Sequence, residues 1–508
     1  MMQSPSVLWR ETEHTATVTP HSETIPDLIL DRVFAELAAR SEGESLDRLL
    51  RAPLLDSEDV AYRQEVFADL STPALRTQLE TFSRSMRRIR THLLELPAVR
   101  HPVVGRRLRL DILHFYCRTV LSLHQGLAGI ALRSRGLRSW RDYLNAYVAR
   151  PEFGALVSGC EDVRAELGKI RYAMRIDEHR IVIGEAGEAP DYAAIVERLF
   201  EPFTGPWKPA EPDSAPLSAG VHPVEERIVD ELAELFPGPF RRMTAHSETF
   251  ADFVDPVLDR VETELRFYLS YQRMVDRLSA RGVEFCLPEV TDAFDGIRVE
   301  GACDLSLAAK CADQDQMPVT NDCHLDGEER VIVVTGPNQG GKSTFARMFG
   351  QLTYLAALGC PVPARRARLM LTDGIFTHFE RRESSSDAAG KLESELIAID
   401  TTLDRSTDRT LIILNESFSS TSTVDAQKIG RQVLRKISER KSVAVFVTFL
   451  DELAALDGVV SMVAGIGDDA TVRTFKLERK PADGRAFAVA LADRFDLSYD
   501  AIVRRVTR

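Results

Sequence analysis

Val331-Ile-Val-Val-Thr-Gly336-Pro337-Asn338-Gln339-Gly340-Gly341-Lys342-Ser343-Thr344 decides how the rest of this 508-residue chain is read. Four apolar β-formers run into Gly-x-x-x-x-Gly-Lys-Ser, and Phe345 to Leu358 then carries apolar residues at helical spacing. The pattern predicts a strand, a tight loop and the start of a helix. Polyphosphate chemistry needs that arrangement, because glycines let backbone N–H groups converge on anionic oxygens and the helix N-terminus adds a favourable field. Lys342 would reach the β and γ phosphates of ATP, and the Ser343 hydroxyl would ligate Mg²⁺. A Gly-rich turn that fits by chance is the competing reading, and the strand before and helix after weigh against it.

Composition sets the frame for that motif. A chain of this length, 44% hydrophobic, can bury more than one core, so two to four domains are expected. No apolar run approaches the ~20 residues of a membrane span, and the N-terminus lacks the regions of a signal peptide, so no membrane partner and a cytoplasmic location are expected. Seven scattered cysteines without a Cys-x-x-Cys pair point to reduced thiols, and the spacing of Cys303, Cys311, Cys323 and His324 fits no zinc finger. The formal charge of −13 makes any nucleic-acid contact depend on a local basic face. Arg84, Arg87, Arg88, Arg90, Arg100, Arg106, Arg107 and Arg109 are the candidates; the alternative is that they solvate helix faces and pair with nearby acids.

Along the chain, residues 1–24 are polar and aperiodic, predicting a mobile tail. Residues 25–200 read as a helical region, with Leu28, Leu30, Val33, Phe34 and Leu37 opening it and turns at Pro97, Pro102, Gly136 and Pro151. Tyr172 to Ile183 alternates like a small hairpin within it. Residues 201–222 are proline-rich and predict a linker. Residues 223–290 return to helical periodicity, strongest from Phe250 to Leu278, and residues 291–508 alternate β-like runs with helices around the glycine loop.

Gly-Pro-Asn-x-Gly-Gly-Lys-Ser-Thr is more specific than a general phosphate loop: it resembles the nucleotide loop of the MutS family, ABC-type ATPases that act as DNA clamps. Other segments carry the same resemblance. Asp56 to Val66 is similar to the opening Asp-x-x-x-Ile-x-x-Arg-x-x-x-Val helix of the family's core, Val319-Thr-Asn321-Asp322 to its Val-Pro-Asn-Asp, and Asp373 to Thr377 to its Asp-x-Ile-Phe-Thr. The helix ending near Leu278 resembles the returning lever, the hairpin a reduced clamp, and Asp483 to Val506 the closing helix. Nothing resembles the family's mismatch-reading domain with its Phe-x-Glu wedge.

The resemblance assigns further residues. Gly336 to Thr344 would hold the nucleotide. Thr410-Leu-Ile-Ile-Leu414-Asn415-Glu416 has the form of a Walker B strand, which implies Glu416 as the group polarising the attacking water beside Lys342. Asn415 stands where the family has an Asp that holds Mg²⁺ through water; an amide keeps the oxygen but loses the charge. Ser386, Asp387 and Gly390 lie where the family has its signature segment, and Ser422 and Asp425 in its Thr-Ser-Thr-x-Asp loop, both implied to meet a second subunit. A polar surface loop is the competing reading for the first of these. Phe449 replaces the family's γ-phosphate-sensing His and cannot hydrogen-bond, which puts turnover in question but not binding.

The expected fold class is α plus α/β: a mostly helical core and lever region followed by a P-loop ABC-type α/β ATPase domain. The resemblance implies a homodimer with two composite ATP and Mg²⁺ sites, closing on DNA and reopening on hydrolysis in repair or recombination, with repair proteins as further partners. The alternative is a nucleotide-binding scaffold with little turnover that holds a protein partner. An ABC-like DNA ATPase with a coiled-coil insertion is disfavoured by the lack of sustained heptads.

Overall fold

The structure, a computed structural model, describes residues 4–10, 16–39, 44–177, 180–186, 223–379, 388–466, 473–482 and 503. The proline-rich stretch 201–222, Ser386, Asp387 and the closing-helix segment from Asp483 to Ile502 lie outside the described residues. Among those described, the strands are β1 (Tyr172–Asp177), β2 (Arg180–Glu185), β3 (Glu289–Thr291), β4 (Ile297–Ala302), β5 (Asn321–Leu325), β6 (Val331–Thr335), β7 (Arg366–Met370), β8 (Gly374–Phe379), β9 (Thr410–Asn415), β10 (Val443–Val447), β11 (Val459–Ile466) and β12 (Arg473–Arg479). β1 and β2 form the expected hairpin.

The unbroken apolar runs of β6, β9 and β10 are buried at every residue, as strands covered on both faces must be. They lie at the centre of a six-stranded sheet of order β12-β11-β6-β10-β9-β8, parallel throughout except for β12 at the edge. Parallel neighbours cannot be joined by hairpins, so helices make the crossings: Lys342–Ala357 after β6, Ala388–Arg405 after β8, Thr423–Glu439 after β9 and Asp451–Ala454 after β10. Phe418, Val433, Leu434, Ile437, Phe446 and Leu453 belong to one buried cluster. The segments after β6, β9 and β10 therefore leave from one edge of the sheet, the edge where open α/β sheets bind ligands. A second sheet, β3-β7-β4-β5, is mixed.

The chain divides by its contacts into two compact units, residues 1–5, 72–132 and 137–265 in one and 6–71, 133–136 and 266–508 in the other. This differs from the sequential division expected from composition. For the described residues 6–8 it also corrects the reading of residues 1–24 as a tail. Val7 is fully buried and Leu8 nearly so, the Tyr62 hydroxyl donates to the Ser6 carbonyl at 2.7 Å, and the Tyr268 hydroxyl donates to the Val7 carbonyl at 2.6 Å. Short apolar islands such as Val7-Leu8 carry no period, so sequence reading passes over them.

Within the unit that holds the parallel sheet, the N-terminal segment supplies hydrogen bonds along the helix Lys342–Ala357. Gln351 Nε2 donates to the Leu28 carbonyl at 2.8 Å, Tyr354 Oη to the Leu50 carbonyl at 3.0 Å, and Leu54 N–H to the Ala357 carbonyl at 2.8 Å. Arg63, fully buried on the helix Ser57–Asp69, donates Nη1 to the Leu358 carbonyl at 3.0 Å and lies over the Trp9 ring at 4.6 Å. A cation there satisfies an orphan carbonyl at the negative end of the helix dipole.

The other unit is helical apart from the hairpin of β1 and β2. Pro73–Glu95, Pro102–Ala128, Pro151–Gly168, Pro223–Leu235 and Pro237–Thr249 all begin at a proline, whose missing N–H costs nothing in the first turn. The same rule shifts the helix expected from Phe250, which begins instead at Pro256 with Asp255 Oδ1 accepting from the N–H groups of Val257 and Leu258, both at 3.0 Å. Phe82 packs on Trp140, and Glu262 accepts from Ser83 Oγ at 2.8 Å and from Arg90 at 3.0 Å. The arginine run is thus partly engaged: Arg90 also pairs with Asp259, Arg107 with Asp111, Arg109 donates to the Ala251 carbonyl and Arg88 lies over the Phe115 ring; of these residues Arg84, Arg88 and Arg100 are exposed.

Candidate functional site

Two glycines shape the loop after β6. Gly336 has φ of 116°, and a Cβ there would stand 3.0 Å from the Ala464 backbone nitrogen on β11; Gly341 has φ of 94° and caps the helix Lys342–Ala357. The loop therefore turns tightly, with Gly340 N–H donating back to the Pro337 carbonyl at 3.2 Å. Lys342 is buried, and its ammonium donates to the carbonyls of Gly336 at 3.0 Å and Pro337 at 3.2 Å and to Asn338 Oδ1 at 3.4 Å. Gly336, Pro337 and Asn338 thus hold the lysine.

In front of the loop lies a cleft of about 510 Å³. One wall is polar: Gln339, Gly340, Gly341, Lys342, Ser343 and Thr344, with Glu416 brought in from the end of β9. The other is apolar: Leu307, Cys311, Met317, Pro318, Val319 and Phe475. Asn321 ties this wall together, since its Oδ1 accepts from Leu477 N–H at 2.7 Å and its Nδ2 donates to the Phe475 carbonyl at 3.2 Å. Burial depresses the Lys342 pKa below its ordinary value; Glu416 and Asp451 draw it back up, and Arg473 pushes it down. An anion at the loop would favour the charged ammonium further.

The turn after β9 is strained. Glu416 and Phe418 are both left-handed, with φ of 57° and 67°, a conformation that L side chains adopt at a cost and that persists where surrounding structure enforces it. Glu416 N–H donates to the Val447 carbonyl at 2.9 Å. Asn415 is buried, and its Oδ1, like Thr335 Oγ1 at the end of β6 and Ser417 Oγ, has no hydrogen-bond partner among the described residues. These unpartnered buried oxygens lie at the ends of β6 and β9, where the glycine loop and the Glu416 turn leave the sheet, although Asn415 itself does not line the cleft. No group of His, Cys, Asp or Glu among the described residues could hold a metal by itself.

The remaining expected residues stand elsewhere. Phe449 is 51% exposed and does not line the cleft. Gly390 is exposed. Ser422 is the N-cap of the helix Thr423–Glu439: its Oγ accepts from Asp425 N–H at 3.2 Å and donates to Asp425 Oδ2 at 2.8 Å, a local role for both residues. The apolar wall was not found from sequence, although Met317 and Val319, exposed and adjacent to a proline, were an available signal.

A family model described as MutS domain V matches residues 332–484, a span that begins in β6 and takes in the loop, Glu416 and Phe475. That stretch of the chain carries a MutS-family domain. Among its relatives are proteins named DNA mismatch repair protein MutS. That of Chlorobium phaeovibrioides is 31% identical over 194 residues, covering 37% of this chain and 22% of the relative. That of Petrotoga mobilis is 32% identical over 145 residues, 28% of this chain and 18% of the relative. That of a Thermotoga species is 34% identical over 139 residues, 27% and 18%. The chain therefore spans about a fifth of the length of the curated MutS relatives it matches.

Proposed function

We propose that this chain is a MutS-like, ATP-dependent DNA-binding protein in which nucleotide hydrolysis reopens a DNA clamp, acting in mismatch repair-like DNA repair or recombination in the cytoplasm. The observation that carries it is the meeting of Lys342 and Ser343 with Glu416, which lies far from them in sequence, in the lining of one cleft. Lys342 and the amides of Gln339 to Thr344 bind the phosphates, and the apolar wall around Phe475 excludes water from a base. Ser343 and Asn415 would hold Mg²⁺, which when bound neutralises charge on the β and γ phosphates. Glu416 orients the attacking water, since in-line displacement at phosphorus depends on positioning and electrostatics. The chain works as a homodimer, with Ser386, Asp387, Gly390, Ser422 and Asp425 facing the other subunit's nucleotide, and with repair proteins as further partners. DNA contact falls to Arg84, Arg88 and Arg100. Among the described residues no helix is long and apolar enough to cross a membrane.

The test is ATP turnover by the full chain with and without duplex, mismatched and branched DNA. Stimulation by at least one form is expected; a rate indifferent to all of them overturns the clamp.

Asn415 and the outward Phe449 favour one alternative, a nucleotide-controlled scaffold that binds ATP, barely hydrolyses it and holds a protein partner. Comparing the intact chain with Lys342→Ala and Glu416→Gln separates the two. Equal, negligible turnover in all three, with ATP still bound by the intact chain, selects the scaffold.

A further inference from the structure

Glu416 cannot hold its place in the cleft by itself. Its backbone and that of Phe418, two residues on, are both left-handed, and a turn in that state relaxes unless its surroundings fix it. Three contacts do so. Glu416 N–H donates to the Val447 carbonyl of β10 at 2.9 Å. The Phe418 ring is buried edge-on against Phe446 of the same strand, with centroids 6.4 Å apart. The third contact is a buried side chain: Phe418 N–H donates to Glu395 Oε1 at 3.0 Å.

Glu395 projects from the helix Ala388–Arg405 and is 9% exposed. A buried carboxylate needs compensation, and Glu395 obtains it from His378 on β8, whose Nε2 lies 3.1 Å from the same Oε1. One oxygen thus joins a neighbouring strand, a crossover helix and the turn that carries Glu416. Neither Glu395 nor His378 lines the cleft. A hydrogen bond from a backbone N–H to a buried oxygen, away from competing water, is suited to restraining a strained backbone.

We propose that Glu395 is a positioning residue for the hydrolytic step, holding the Phe418 amide, and through it the Glu416 carboxylate, in the geometry that activates water. This rests on the hydrolytic role of Glu416 proposed above. Removing the acceptor would leave ATP bound by the loop of Gly336 to Thr344 and allow the turn to swing Glu416 away.

The experiment is steady-state ATP hydrolysis by the full chain carrying Glu395→Ala, Glu395→Gln or Glu395→Met, each checked for cooperative melting. Glutamine keeps an oxygen for the Phe418 amide, and methionine keeps the volume without a comparable acceptor, so it carries the test should the alanine variant not fold. Expected are a fall in kcat of about tenfold or more for Ala and Met, a change in KM of less than about twofold, and a Gln variant within about threefold of the parent. In a Glu416→Gln background the loss of Glu395 should cost no further kcat, because the effect passes through Glu416; a purely structural role would still lower the rate. An unchanged kcat, an equal loss of ATP affinity, a Gln variant as slow as Met, or additive losses in the double variant overturns the proposal. A parent chain that binds ATP and never cleaves it overturns the hydrolytic role of Glu416 and this inference together; a parent that cleaves it, with Met equally fast, overturns only the role of Glu395.

Discussion

An amide stands at Asn415 directly before the glutamate of the cleft, and its side-chain oxygen is buried without a hydrogen-bond partner among the described residues. If that oxygen serves Mg²⁺, the missing charge sets the affinity. Asn415→Asp is expected to lower the Mg²⁺ concentration for half-maximal turnover about five- to tenfold, since charge-assisted contacts are roughly twice as strong as neutral ones. A Mg²⁺ titration of ATP hydrolysis reads this directly, and an unchanged requirement places Asn415 away from the cation. Individual residues also show what was visible in the sequence. Gly336 to Thr344 and Glu416 could be named in advance because each is tied to a local pattern, a loop between strand and helix or the end of an apolar run. Phe475 could not: it reaches the cleft because β12 pairs antiparallel beside β11, and because its own backbone, with φ of 58°, departs from strand geometry. Ser422 and Asp425 show the converse, a family motif whose residues here also cap a helix.

At the scale of elements, the helix Lys342–Ala357 was bounded almost correctly from sequence, and its end explains why. Gly359 is left-handed, with its N–H bonded to the Ala356 carbonyl and Cys360 N–H to the Leu355 carbonyl, a Schellman stop that requires glycine. A Cβ at this position would lie 2.7 Å from Arg63 Cβ. Gly359→Ala therefore combines backbone strain with crowding and should cost about 2–4 kcal/mol, measured by denaturant unfolding. Arg63, within the stretch Asp56 to Val66, has a plain physical role: it satisfies the carbonyl of Leu358, where that helix ends. The helix Pro256–Ser279 offers a test in pH. Burial pushes the Glu262 carboxyl above its ordinary 4.5, against the Ser83 hydroxyl and the Arg90 guanidinium that favour its charged form. The folded state then binds this proton more tightly than the unfolded state, so the associated stability is present below pH 4.5 and is lost as pH rises through the elevated value. Glu262→Gln removes that slope, and its melting temperature should gain on that of the parent as the pH is raised from 4.5 towards neutrality. A constant difference across that range would contradict the assignment.

For the whole molecule, the sequential division at residue 290 describes the chemistry but not the contacts. Residues 6–71 complete the unit that contains the cleft, through Leu28, Leu50, Leu54 and Arg63, and Tyr271 adds a bond from its hydroxyl to the Pro361 carbonyl at 2.7 Å. A fragment of residues 291–508 would uncover this apolar surface and leave buried hydrogen-bonding groups unpaired, each at about 1–3 kcal/mol. It should melt without cooperativity and lose ATP affinity, whereas adding residues 6–71 in trans should restore part of both; calorimetry and nucleotide titration report the outcome. Composition could not reveal this connectivity, since hydrophobic periodicity locates elements but not which of them meet.

The same arrangement governs how the protein is made. Leu28 and Leu54 leave the ribosome some 300 residues before the helix and strands that cover them, a wait of about 15 to 60 s at about 5–20 residues per second. Newly made chains must shelter these leucines throughout that interval, so demand for chaperones during translation should be set by residues 6–71, not by the half that carries the cleft.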